Sequence, residues 1–216
     1  MPILPALAIQ FQCLFPATEN GEERWRWFML TVQAILVPIT ASRTSNLLRA
    51  IATLFGVQIA PSRYYTFMAS VKRRWGSVWE VLWRAIPNPL TEGRLLVALD
   101  DSINPKTGRK VFGCQHTFDH AAKTHQSQYP WAQTMVTVGL LKVIHGRWSC
   151  LPLAFAFYLR RQTLRAGCIR VRGEAVVFQS KFAQAVRLIA GLAKVFGQAP
   201  ILVVADSWFG NNGLLK

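Results

Sequence analysis

Residues 201–216 read ILVVADSWFGNNGLLK, five apolar residues running directly into Asp206. A block this short and this apolar has the pattern of a buried strand. Residues 94–102, RLLVALDDS, repeat the arrangement and deliver Asp100 and Asp101. The chain holds four aspartates, the fourth being Asp119, so three of the four close an apolar run. Two carboxylates carried by different strands can meet at one edge of a sheet, where the backbone holds them rigidly. Bare, they repel and each resists ionisation. A hard divalent cation such as Mg or Mn removes that conflict, because it takes oxygen ligands. Two such ions activate water and stabilise the leaving oxygen in phosphodiester cleavage. For any one strand-end aspartate taken alone, a helix N-cap or a turn is the simpler reading.

The charge points the same way. The chain has 216 residues, a formal net charge of +15, and 25 basic residues against 10 acidic. Sixteen of the basic residues lie from Arg94 onward, where only five acidic ones accompany them. That excess sits with the aspartates and favours a polyanion partner. Half of the residues are apolar, which supports a packed core and argues against wholesale disorder. The most membrane-like run, WFMLTVQAILVPIT (27–40), is 14 residues long and contains Gln33 and Pro38. A spanning helix needs about 20, so no membrane insertion is expected. The N-terminus has no basic stretch before its apolar run and carries Pro2 and Pro5, unlike a signal peptide. Cys13, Cys114, Cys150 and Cys168 form no CxxC pair and read as reduced thiols of a cytoplasmic protein.

Residues 1–20 form an N-terminal segment, and 21–88 read as a helical module. Helices are expected from Glu22 to Val37, over 44–55 after the break at Pro38, over 62–74 with Ser62 as N-cap, and over 76–86. Gly56 stops the second. The pair 44–55 and 62–74 has helix-turn-helix proportions, which would turn Arg63, Lys72, Arg73 and Arg74 toward phosphates. The tryptophans at 25, 27, 75, 79 and 83 have helical spacing and belong to a core. IPNPLTEG (86–93) is a linker, and strand signals follow it. They are Arg94–Leu99, QTMVTVGLLKVI (133–144) and WSCLPLAFAFYL (148–159), the last two joined by an HGR turn. SKFAQAVRLIAGLAKVF (180–196) is helical and stops at Gly197. ILVVAD is the next strand, and NNGLLK opens another helix.

This order of elements resembles the RNase H-like nuclease fold. The residues resemble the first part of an insertion-sequence transposase of the DDE type, in the subgroup with an acidic pair on the first strand. VALDDS is similar to the first-aspartate strand and VVADSWFGN to the second. FDHAAKTHQSQYPWAQTMVTVGLL (118–141) is similar to the segment between the first two strands. The resemblance implies an α+β RNase H-like mixed sheet over 94–216, preceded by an all-helical DNA-binding module. It implies Asp100 and Asp206 as catalytic residues and metal ligands, with Asp101 the alternative first acid. Two divalent ions, Mg or Mn, are the implied cofactors. The implied partners are double-stranded DNA at transposon ends and in the target, and a second copy of the chain when DNA is bound. The implied place is the cytoplasm of a prokaryotic cell, at the nucleoid. Water would nick DNA at the transposon ends, and the freed 3′-hydroxyl would attack the target. The family's third carboxylate, a glutamate on a later helix, has no counterpart, and Glu174 precedes the second aspartate. On this reading the chain is a fragment or a degenerate copy that is inactive alone. A non-catalytic DNA-binding inhibitor is the alternative.

Other clusters carry less. Cys114, His116, His120 and His125 match no common zinc spacing. Asp119 and His120 lack a nucleophile motif beside them. Lys123, His125 and Gln126 suit contacts to a DNA strand or loop structure. The basic tract with Arg160, Arg161, Arg165, Arg170 and Arg172 suits a phosphate-tracking face.

Overall fold

The computed structural model describes residues 3–37, 44–70, 76–108, 110–166, 169–171, 174–197 and 199–211. The chain divides into two compact units, Met1–Ala85 and Ile86–Lys216.

The first unit is helical: α1 (Ile3–Gln12), α2 (Glu19–Leu36), α3 (Thr44–Phe55), α4 (Pro61–Met68) and α5 (Gly76–Arg84). Pro5 falls in the first turn of α1, where a missing N–H breaks no intrahelical bond. The second helix starts three residues before the expected Glu22, because the Thr18 side chain caps it by accepting the Gly21 N–H at 3.2 Å. Gly21 itself is required: a Cβ there would lie 1.9 Å from the Pro16 carbonyl oxygen. Ser62 is not the N-cap of α4. That place belongs to Ala60, and Pro61 pre-sets the first helical φ. Trp27, Phe28, Tyr64, Phe67 and Val81 are buried together in the core of this unit. Trp25 packs on its border, and Trp79 and Trp83 are half-buried. Burial pushes the Tyr64 hydroxyl above the usual tyrosine range, and its hydrogen bond with the Thr31 hydroxyl partly offsets this. Helix α4 ends at Met68. Lys72, Arg73, Arg74 and Trp75 lie outside the described residues.

The second unit is built on a mixed sheet. Its elements are β1 (Leu95–Pro105), β2 (Cys114–His116), β3 (Trp131–Ile144), β4 (Arg147–Tyr158), α6 (Arg161–Ala166), β5 (Arg170–Val171), β6 (Glu174–Ala175), α7 (Lys181–Val195), β7 (Ile201–Ala205) and α8 (Ser207–Asn211). One edge of β3 carries β1, antiparallel. The other edge carries β4 and, beyond it, the short β2. The β1 strand in turn pairs with β7, parallel. This three-strand antiparallel meander with a parallel fourth strand beside its first member is the RNase H-like arrangement. His145 and Gly146 both have positive φ, which is the I′ turn that closes the β3–β4 hairpin. A bulge at Val138/Gly139 leaves Leu153 as the extra residue, next to Pro152, which cannot donate to the ladder. The β5–β6 hairpin is a separate two-stranded sheet.

Alternation assigns the two faces of the main sheet. Leu95, Val97 and Leu99 of β1 share a face with Leu140, Val138 and Val136 of β3, and all are buried. Helix α7 packs against β3 and β4. The opposite face presents Phe155, Leu202 and Val204, which remain 43%, 46% and 51% exposed.

Candidate active site

The first strand is longer than its apolar block. It continues through Asp100, Asp101 and Ser102 to Pro105, because β3 offers ladder partners as far as Ala132. The acidic pair is therefore inside a strand rather than at its end. Asp206 does follow the last residue of β7.

Register places these carboxylates. Leu99 pairs with Ala205, so Asp206 follows in the row of Asp100 on the neighbouring parallel strand. Asp100 Oδ1 accepts the Asp101 N–H at 2.8 Å, and the Thr137 hydroxyl donates to the Asp100 carbonyl oxygen at 3.0 Å. Asp206 Oδ1 accepts the Phe209 N–H at 3.1 Å and opens α8. The helix expected from NNGLLK thus begins earlier, at Ser207, and residues 212–216 lie outside the described ones. Phe209 is fully buried, edge-on to Phe182 of α7, which fixes the turn that carries Asp206.

Asp101 alternates to the face covered by α7. Among the described residues it accepts no backbone hydrogen bond as a cap would; its carboxylate forms an ion pair with Lys181, the first residue of α7. The Lys181 ammonium also sits 4.9 Å from the Trp208 ring centroid and 5.5 Å from that of Tyr158. Trp208 stacks on Phe182 with 5.1 Å between centroids and 6° between planes. An open cavity of about 710 Å³ is lined by Asp100, Asp101 and Asp206, together with Lys181, Arg160, Asp119 and His120.

The remaining sequence candidates distribute as follows. Arg160 borders the cavity and donates to the Thr117 hydroxyl at 2.7 Å. Arg161 lies over the Phe178 ring at 4.7 Å. Arg170 is exposed on β5, and Glu174 is exposed on β6, away from the cavity lining. Lys123 is exposed in a turn where its carbonyl accepts the Gln126 N–H. Arg63, in the helical unit, is exposed and pairs with Glu23 at 3.0 Å over the Trp27 ring. The side chain of Arg165, and Cys168 and Arg172 as a whole, lie outside the described residues. Asp119 closes a local turn through the Ala121 N–H. His116 bonds the Tyr129 carbonyl, and His120 packs against Phe118. Cys114 is buried, which pushes its thiol above the usual range, with Lys106 partly opposing. Among the described residues no three His, Cys, Asp or Glu side chains gather into a group that could hold a metal ion. Asp100 and Asp206 are nonetheless hard oxygen donors on neighbouring rigid strands, the donor chemistry that Mg or Mn takes.

Sequence reasoning missed Lys181, Tyr158 and Trp208. A signal for Lys181 was present: a cation at the first position of a helix opposes the macrodipole, so something outside the helix must hold it.

The chain belongs to the DDE superfamily endonucleases: the model of that family matches residues 12–216. A search of curated proteins and one of solved structures each return no match. Membership brings a transposase-like nuclease with DNA as its substrate, and nucleases of this kind generally use divalent metals. Among the described residues no helix is long and apolar enough to cross a membrane.

Proposed function

We propose that this chain is a DNA transposase that cleaves strands at transposon ends and joins the freed 3′-hydroxyl to target DNA. Asp100 and Asp206 are its metal ligands and catalytic residues. The observation that supports this is the register of β1 on β7, whose last pair, Leu99 with Ala205, immediately precedes the two aspartates. Asp100 and Asp206 would hold a divalent ion, whose chemistry when bound would be to lower the pKa of a water and to offset phosphoryl charge. The chain's own residues do the rest. The Asp206 carboxylate is oriented by the Phe209 N–H and Asp100 by the Asp101 N–H, so both present fixed oxygens. Basic side chains beside the cavity, Arg160 first among them, hold the phosphodiester backbone. Water attacks phosphorus and the 3′-oxygen leaves. In the second step that hydroxyl attacks a target phosphodiester in the same manner. Arg161, Lys123 and Arg170 are further phosphate contacts of this unit, and Arg63 is a separate one on the helical unit.

A second reading of the same resemblance stands beside it. On that reading the chain occupies DNA ends without cutting them. A nicking assay on supercoiled plasmid with Mg or Mn separates the two. Nicking that disappears in both Asp100→Asn and Asp206→Asn supports the nuclease. Salt-sensitive DNA binding without nicking supports the occupier. Nicking that persists in both variants removes the two aspartates from the reaction.

A further inference from the structure

The cavity is lined by four aspartates, Asp100, Asp101, Asp119 and Asp206, and among the described residues Lys181 is the one cation in an ion pair with any of them. The pair is largely withdrawn from water, with side-chain exposures of 20% for Lys181 and 25% for Asp101. Its position is built rather than incidental. Ser180 caps α7 through the Ala183 N–H at 3.1 Å, so the helix begins at Lys181 and aims it across the sheet. The ammonium then touches both halves of the site. It binds Asp101 of β1 and lies over Trp208, two residues beyond Asp206. A helix N-terminus repels a cation, so the Asp101 carboxylate and the two ring faces must hold it there.

Building on the metal reading of Asp100 and Asp206, we propose that Lys181 is a positioning residue that withholds Asp101 from the metal and thereby sets both the ligand choice and the affinity of the site. With the ammonium in place, Asp101 is already neutralised on the α7 side of β1. Asp100, one residue away on the other side, is left to act with Asp206. With the ammonium removed, the freed Asp101 carboxylate adds negative charge and an oxygen donor beside a divalent ion. Lys181 is thus an internal competitor for the cation.

The experiment is Mn binding to the whole chain, followed by electron paramagnetic resonance of free Mn. It compares the native chain, Lys181→Met, Lys181→Arg, Asp101→Asn and the double variant Lys181→Met with Asp101→Asn. Near-ultraviolet circular dichroism verifies folding, and Lys181→Gln replaces the Met variant if that one unfolds. Lys181→Met should tighten Mn binding roughly tenfold, and Lys181→Arg should restore native affinity to within about twofold. In the Asp101→Asn background the same removal should tighten it no more than about threefold, the through-space effect alone. Unchanged or weaker binding in folded Lys181→Met overturns the proposal, as does equal tightening in both backgrounds. Asp206→Asn keeps the two readings apart. If it leaves native Mn binding intact, the metal reading fails; if it abolishes binding while Lys181→Met changes nothing, the Lys181 proposal fails alone. No Mn bound by any form overturns both.

Discussion

The two faces of the central sheet are made from the same strands and have opposite characters. On the face under α7, Leu95, Val97, Leu99, Val136, Val138 and Leu140 are all but inaccessible. On the other, Phe155, Leu202 and Val204 keep about half of their surface in water. A single residue step along β1 crosses between them, and the acidic pair makes that step. Asp101 emerges on the face under α7, at the cavity, and pairs with Lys181. Asp100 emerges on the open side, in the row of Asp206. The placement of α7 thus engages one carboxylate of the pair in the scaffold and leaves the other on the open side.

Substitution should expose that contrast first as stability. Leu99→Ala removes a buried side chain from the covered face and should cost about 2–5 kcal/mol. Val204→Ser on the open face should stay within about 0.5 kcal/mol. Urea unfolding of both variants measures the gap, and equal costs would break the distinction. The open side is not uniformly loose, and one glycine sharpens the point. A Cβ on Gly139 would lie 2.3 Å from Cys150 Sγ and 3.2 Å from the Leu151 carbonyl oxygen. Gly139→Ala should therefore cost about 1–3 kcal/mol through overpacking beside the bulge, read from the same unfolding curves. A smaller effect than that of Gly139 belongs to the cap of α7. Ser180→Ala should cost about 1 kcal/mol, and it should also loosen the Lys181–Asp101 pair. Hydrogen exchange at Ala183 should rise in that variant; unchanged protection would show that the cap does not set where α7 begins.

The strand that carries Asp206 was legible from the apolar run ILVVA ahead of an acid, but its burial was not as expected: alternate residues Leu202 and Val204 face the open side of the sheet and stay 46% and 51% exposed. The β3–β4 hairpin was legible from two apolar runs around His145-Gly146. The far half of β1 was not, since Asp100-Asp101-Ser102-Ile103-Asn104 has weak strand propensity. Ladder hydrogen bonds to β3 override it. Ser62 misled because a good capping residue stood one place after Pro61, which fixed the start of α4 instead. The three-residue β2 exists only as a continuation of the edge that β4 begins, so its own sequence could not reveal it. The candidate acids were readable as strand-borne carboxylates, and the resemblance already preferred Asp100 to Asp101. The partner of Asp101 was not readable, because it depends on which face α7 covers and on Lys181, 80 residues away.

We propose that Asp100 and Asp206 would both be ligands of a divalent ion. Iron-directed cleavage tests it without needing catalysis: Fe(II) is bound in place of Mg, peroxide and ascorbate are added, and the protein's own backbone is cut beside the metal. The account predicts cuts clustered near residues 100 and 206, suppressed by excess Mg and absent in Asp206→Asn. Cuts elsewhere, or cuts near 100 that survive Asp206→Asn, would contradict it.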